Sequence, residues 1–573
     1  MTLSDLIVHY LEKLGVEYVF GIPGSPLGPL FDALRRSEQR GGPRMVLTRH
    51  EAGAAFIADG YARESGKLGV CCATTGPGVT NLITGVASAC AEQVPMLVLT
   101  PQTRLRDLGS GCFQDSSRNG IDVVSMLEPC TVYNATVTHP DQLERKLAAA
   151  LTAALGNPGG PAHLSIPIDI FAAEADWPPR FSLLPQLLAR PHATLDIAGL
   201  ENLCAEISAT LGRGAGLCVL VGHGAADAGH DIERFAELTG ATLITTPRGK
   251  SVINPYHGQA RGVFGMSGHA SSRAALTDPK VELILAAGSN LGEWSTGKWD
   301  AVLMNDRLVH LHSERRWFER SPMARLQVEG DLVTLFRELN NRIEQWQSEG
   351  RLPVPEKPAQ SGTAAPAAYI PAGIEVADPA CCATDRGDTP IKAPQVYAEL
   401  LRRLPQATRY FIDNSNSVPW SIHYFFHPRP RHYHLSIEFA TMAWAVGAAV
   451  GGAFGNPDAP SVCIAGDGCY LMSGQEITVA VERRLPVLFV ILNDRAYGLI
   501  RHGHRIAGKE DADFSIPPVD FAMLGRAAGA EAFTIRSLQD FDRLDWQALA
   551  ERQGPTVLEV MIDAEAEPPI AMA

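Results

Sequence analysis

Ser461-Val462-Cys463-Ile464-Ala465-Gly466-Asp467-Gly468 is an apolar run that stops on two glycines flanking an aspartate. Its continuous apolar character fits a strand buried on both faces, and a helix-like pattern follows, so the segment reads as strand, turn and helix of a parallel sheet. A second such strand, Val487 to Leu492, ends at Asn493-Asp494, which puts Asp494 27 positions after Asp467. In a parallel sheet these two carboxyl ends lie side by side, at the edge where open α/β sheets bind ligands. Two carboxylates and an amide therefore converge. Such oxygen ligands suit a hard cation like Mg²⁺, which commonly completes its octahedron with phosphate oxygens. The glycines around Asp467 let backbone N–H groups approach those phosphates. Gly-Asp-Gly by itself also fits a plain tight turn; the second strand end is what argues for a metal and phosphate site.

The same alternation of short apolar runs and helical stretches extends outward. Towards the amino terminus, Tyr18-Val19-Phe20-Gly21, Val70-Cys71-Cys72-Ala73, Met96-Leu97-Val98-Leu99 and His163-Leu164-Ser165-Ile166 are strand candidates of a first α/β unit, residues 1–176. A Pro-rich break from Trp177 to Pro191 separates it from a second unit, 190–346, with strands expected at Leu217–Val221, Thr242–Thr245, Leu283–Ala286 and Leu308–Leu311. The turn Gly222-His223-Gly224 is similar to a dinucleotide fingerprint, but Gly229 comes too late for its third glycine. Residues 347–391 have the Pro, Ala, Gly and Thr content of a linker, and 392–565 form the third unit. The expected fold is α/β, three doubly wound parallel-sheet domains, with the first and third built alike.

With 573 residues the chain has room for about three domains at roughly 100–200 residues each. It is 46% hydrophobic and 20% charged, the balance of a globular protein. The run from Met442 to Phe454 is too short to span a bilayer and reads as a buried helix. A net charge of −14 argues against nucleic acid or an anionic membrane as partner. The start Met1-Thr2-Leu3-Ser4-Asp5 has no signal-peptide pattern, which leads to the expectation of a cytoplasmic protein. Eleven cysteines without regular spacing fit reduced thiols, not a disulfide framework.

Gly-Asp-Gly followed one strand later by Asn493-Asp494 resembles the signature of thiamine diphosphate enzymes, with Asp494 standing where the second Asn is usual. The resemblance implies thiamine diphosphate and Mg²⁺ as cofactors, the metal held by Asp467, Asp494 and the Ala496 carbonyl. The extra negative charge of Asp494 bears on cofactor affinity. Thr48-Arg49-His50-Glu51-Ala52-Gly53 looks like the family's second element. There Glu51 would bond N1′ of the cofactor's pyrimidine and so let the 4′-amino group take the proton from C2 of the thiazolium. Without the resemblance Glu51 is an ordinary helical surface residue, and His50 and Ala54 do not complete His-Glu-x-x-His. Pro23 and Gly24 of Phe20–Gly24, and Thr75, Gly76 and Asn81 of Thr75–Asn81, match cofactor-binding loops. Ala440 and Met442 match the wedge that bends the cofactor. Asn416 and Ser417 fall at diphosphate-binding positions, and Gly466, Gly468, Cys469 and Tyr497 at cofactor-binding ones.

Gly111-Cys112-Phe113-Gln114-Asp115 is similar to the Phe-Gln element of acetolactate synthases, which implies carboligation, Gln114 positioning the reactants and Phe113 keeping the site dry. Thr246–Lys250 and Gly262–Gly268 resemble the same subgroup, some members of which bind FAD there without redox use. Three departures point to an acceptor other than a second pyruvate: Ile168 replaces a Lys, Asn290–Trp294 lacks an Arg-rich turn, and Gly503 replaces a bulky aromatic. His502 and His504 either act on that acceptor or face solvent, and the solvent-facing reading is the favoured expectation. The implied reaction is decarboxylation of a 2-oxo acid, pyruvate first, and transfer of the acyl unit to an acceptor carbonyl. The alternatives are a non-ligating decarboxylase, a 2-hydroxy ketone lyase, or an inactive cofactor-binding regulatory subunit. The resemblance also implies a homodimer or homotetramer, with active sites between subunits.

Overall fold

The structure is a computed structural model, which describes residues 1–189, 193–355, 368–383, 390–510 and 512–570. It contains three six-stranded parallel sheets. The first holds β1 (Tyr18–Gly21), β2 (Arg44–Leu47), β3 (Gly69–Cys72), β4 (Met96–Gln102), β5 (Tyr133–Thr136) and β6 (Pro161–Pro167), in the order β2-β1-β3-β4-β6-β5. The third holds β13 (Arg409–Ile412), β14 (Tyr433–His434), β15 (Ser461–Gly466), β16 (Val487–Asn493), β17 (Glu531–Ile535) and β18 (Thr556–Met561), in the order β14-β13-β15-β16-β18-β17. The two orders are the same permutation, so one topology is used twice. The central sheet, β7 (Gly216–Val221), β8 (Thr242–Thr245), β9 (Ala260–Val263), β10 (Val281–Ala287), β11 (Leu308–His312) and β12 (Leu326–Glu329), runs β12-β11-β10-β7-β8-β9. That is the strand order of dinucleotide-binding sheets.

The middle strands are buried on both faces because helices cover both sides: every residue of β4, β6 and β16 is buried. β15 and β16 are direct neighbours, with Gly466 opposite Leu492, so Asp467 and Asp494 leave adjacent strand ends.

One hydrophobic core joins the first and third units. Its centre is the crossing of helix Glu51–Ser65 with helix Trp444–Gly455, the buried helix expected from the Met442–Phe454 run. The helices approach through glycines. A methyl on Gly60 would collide with the Ala448 carbonyl, and one on Gly451 with the Ile57 carbonyl. Close contact at these points offsets the roughly 1 kcal/mol that each helical glycine costs. Within the stretch read as a linker, 356–367 and 384–389 lie outside the described residues. The described part packs: Ile374, Val376, Cys381 and Cys382 are buried in the third unit's second core. Residues 190–192, at the break before the central unit, lie outside the described residues as well. Among the described residues no helix is long and apolar enough to cross a membrane.

Candidate active site

A cavity of about 180 Å³ opens at the carboxyl ends of β15 and β16. Of the third-unit residues singled out in the sequence, Asn416, Ser417, Met442, Gly466, Asp467, Gly468, Cys469, Asp494, Ala496 and Tyr497 border it; Ala440 does not. Asp467 begins helix Asp467–Ser473, and its Oδ1 accepts the Gly468 N–H at 2.8 Å. Burial, then the charge of Asp494, pushes the Asp467 carboxyl up to about 7. Asp494 is raised as well, again chiefly by burial. It accepts the Ala496 N–H at 3.2 Å and the Asn416 amide at 3.3 Å. Gly468 carries no side chain where the Tyr497 ring packs; a methyl there would stand 2.8 Å from it.

The loop 436–443 is fixed from β13. The buried Asp413 carboxylate accepts the N–H groups of Ala443 at 2.8 Å and Ala445 at 2.9 Å, at the start of helix Trp444–Gly455. The Asn414 amide donates to the carbonyls of Ser436 at 2.8 Å and Thr441 at 2.9 Å. Ala440 and Ala443 adopt left-handed φ values of 56° and 68°. Alanines rarely do so, and strain of this kind persists where the surroundings over-determine it. The outcome is a Met442 side chain projecting from the loop, 49% exposed.

In the first unit Glu51 opens helix Glu51–Ser65 and is 8% exposed. The Asn81 amide donates to its Oε2 at 3.0 Å. His50 is structural: its Nδ1 accepts the Ala52 N–H at 3.1 Å as the helix cap. Thr75 Oγ1 donates to Gln114 Oε1 at 3.1 Å, and Gly76 N–H to Ser116 Oγ at 2.7 Å, which draws the Gln114 loop onto the Thr75–Asn81 turn. Phe113 beside it is 88% exposed. Gly24 packs on Thr74, where any side chain would collide, while Pro23 is exposed. No first-unit residue borders the 180 Å³ cavity, so within one chain the structure assembles two groups: Glu51 with Asn81, Thr75, Gly76 and Gln114, and the cavity residues of the third unit.

Models of the thiamine pyrophosphate enzyme family match this chain three times: the N-terminal TPP binding domain at residues 1–126, the central domain at 206–339 and the C-terminal TPP binding domain at 413–560. The chain belongs to the thiamine pyrophosphate enzyme family. Over its full length it is similar to acetolactate synthases. It is 28% identical over 563 residues to the acetolactate synthase isozyme 2 large subunit of Escherichia coli, covering 98% of this chain and 95% of that one. With the acetolactate synthase large subunit of Corynebacterium glutamicum identity is 29% over 581 residues, 99% and 88% covered. With a probable acetolactate synthase large subunit of Methanocaldococcus jannaschii it is 27% over 582 residues, 99% and 93% covered. The chain is thus a thiamine-pyrophosphate-dependent enzyme of acetolactate-synthase-like type.

The family's cofactor suits the residues present. Among the described residues no three His, Cys, Asp or Glu side chains cluster as a self-sufficient metal site. Asp467 and Asp494 alone are an incomplete shell of the kind that Mg²⁺ fills with phosphate oxygens. Asn416 Oδ1, on the cavity wall beside Asp494, is buried without a hydrogen-bond partner, a polar atom that a ligand would satisfy.

The central unit has a cavity as well. A cavity of about 290 Å³ lies at the switch point of its sheet, bordered by His223, Arg248, Asn290, Glu293, Trp294 and Glu438. Methyl groups on Gly222 or Gly224 would meet the Gly288 carbonyl, so these glycines let the turns after β7 and β10 pack together, and Gly224 and Gly288 also face the cavity. Arg248 is committed to Glu92 at 2.6 Å and Glu438 at 3.2 Å, and Glu293 adds negative charge.

Two findings correct or extend the sequence reading. His502 is fully buried, not solvent-facing, with neither ring nitrogen hydrogen-bonded. The segment after β18 lies against its helix, held by Arg501 on the Ala564 carbonyl and by Arg505 on Glu565 at 2.7 Å. At Gly503 a Cβ would meet open space. The sequence reading missed Glu476. Its buried carboxylate, one turn past helix Asp467–Ser473, accepts the N–H groups of Arg49 at 3.1 Å and His50 at 2.9 Å, directly before Glu51. A side chain on Gly53 would collide with it. No local signal marks it, because its partners are backbone amides of another unit.

Proposed function

We propose that the chain is a Mg²⁺- and thiamine diphosphate-dependent carboligase that decarboxylates a 2-oxo acid, pyruvate first, and passes the acyl unit to an acceptor carbonyl. The observation that carries this reading is the Asp467–Asp494 pair facing a cavity whose rim holds Met442 on a strained, doubly anchored loop. Asp467, Asp494 and Ala496 would hold the metal. Asn416, Ser417, Gly466, Gly468 and Cys469 would take the diphosphate. The bound cofactor supplies a nucleophilic carbon and an electron sink for loss of CO₂.

The chain's own residues do the rest. Glu51 holds a proton against the pyrimidine N1′, oriented by the Asn81 amide. Gln114, steadied by Thr75, orients the reactants, and Phe113 excludes water. Ala440 and Met442 would hold the cofactor on the third-unit side, and Pro23, Gly24, Thr75 and Gly76 would lie on its pyrimidine side. Because the cavity lacks first-unit residues, the reading takes Glu51 from a second copy and makes the working unit at least a homodimer. The absent side chain at Gly503 and the polar, uncharged Asn290 support an acceptor other than a second pyruvate.

The test is product analysis. With thiamine diphosphate, Mg²⁺ and pyruvate, wild type should release CO₂ and form a ligated product when an acceptor aldehyde or 2-oxo acid is supplied. Quantitative release of free acetaldehyde in the presence of every acceptor would point to the non-ligating decarboxylase instead.

A further inference from the structure

We propose that Asp494 makes cofactor assembly on this chain metal-first: its charge, added to that of Asp467, turns away a free diphosphate until a divalent cation is bound. The inference rests on the reading of this cavity as a metal and diphosphate site.

Asp467 and Asp494 are close enough for the charge of Asp494 to act on Asp467. The Ala496 N–H holds the Asp494 carboxylate at 3.2 Å, and the Gly468 N–H holds that of Asp467 at 2.8 Å. Both side chains are therefore locked by backbone, and neither can swing away to relieve repulsion of an incoming anion. Asp494 is further fixed by the Asn416 amide and by Gly498, where a methyl would overlap its carboxylate.

No Lys, Arg or His side chain borders the cavity to offset the two charges. The nearest cation along the helix, Arg501, is turned to the Ala564 carbonyl and faces Glu565, so its charge reaches Asp494 only from outside the cavity and offsets it in part. The buried Asn416 Oδ1 adds another acceptor without a donor. A cavity with two acids, an orphan oxygen and no side-chain cation is complementary to a cation and hostile to a diphosphate in a poorly screened interior. An Asn at position 494 would keep the oxygen and remove the charge.

By linkage, the factor by which the metal tightens diphosphate binding equals the factor by which the diphosphate tightens metal binding. Asp494 should enlarge that factor by weakening the metal-free binding of thiamine diphosphate. It should also strengthen metal binding in the absence of thiamine diphosphate.

The experiment is a calorimetric titration of thiamine diphosphate into the full-length wild type, Asp494→Asn and Asp494→Ser, each in excess chelator and in saturating Mg²⁺, above neutral pH. Mn²⁺ binding without thiamine diphosphate is followed alongside by electron paramagnetic resonance. The expected result is an affinity ratio, with to without metal, at least about tenfold larger for wild type than for either variant, the gap lying in the chelator arm. Wild type should also bind Mn²⁺ alone more tightly. Equal ratios in all three proteins would overturn the metal-first role while leaving the site intact. Failure of wild type to bind thiamine diphosphate even in saturating Mg²⁺ would overturn both this inference and the reading of the site. Should both variants fail to fold, wild type alone decides: it should hold Mn²⁺ without thiamine diphosphate, and the converse order of binding refutes the proposal.

Discussion

Glu51 and Glu476 are two buried carboxylates with different tasks, one aimed at the pyrimidine side of the proposed site and one at the backbone that carries it. Burial pushes Glu476 up from the ordinary 4.5 to about 7, against the opposing pull of the Arg49 and His50 N–H groups. Below about 4.5 the folded and unfolded chains both hold this proton. Between 4.5 and about 7 only the folded chain keeps it, so the contribution to stability is lost as pH rises through that window. Its full extent is at most about 3 kcal/mol. Glu476→Gln should therefore flatten the pH dependence of the chemical-denaturation midpoint between these limits, while wild type declines across them. Glycines and strand ends singled out Asp467 and Asp494 in the sequence, and both border the third-unit cavity. Residue identity alone could not reveal Glu476, bonded to amides 426 and 427 positions away, nor the burial of His502, which depends on the distant segment around Ala564 and Glu565.

The elements that were legible are those with a strong local pattern. Thr242–Thr245 is β8 as read, and the expected runs at Met96, Leu283 and Val487 are cores of β4, β10 and β16. The edges were not legible. β5, Tyr133-Asn134-Ala135-Thr136, is only half-buried throughout, and β14 has two residues, too little for a period to register. The crossing of helices Glu51–Ser65 and Trp444–Gly455 shows what sequence does encode at this scale: glycines at helix-incompatible cost mark a close approach. Gly60→Ala should destabilise the protein by about 1–3 kcal/mol through overpacking, although alanine favours the isolated helix. A thermal or denaturant melt checks it; a stabilised variant would mean that the helices do not meet there.

At the scale of the molecule, one topology used twice places Glu51 at one sheet's edge and the Asp467–Asp494 pair at another's, with a common core between them. The exposed Phe113, Met442 and Tyr497 are large apolar groups on those two faces, the kind of surface that marks a contact. Dilution below the association range should thus abolish turnover, with activity and the sedimenting dimer lost together; an active monomer would refute the shared site. The central unit keeps a dinucleotide-type sheet with a cavity at its switch point, and that fold by itself assigns no ligand.

The most direct measurement is turnover of pyruvate by wild type and Glu51→Gln with thiamine diphosphate and Mg²⁺, following CO₂ and ligated product while cofactor binding is measured in parallel. Wild type should form both, and the variant should bind the cofactor yet lose about 10²–10⁴-fold in rate, the usual worth of a positioned acid or base. A variant as active as wild type would contradict the account.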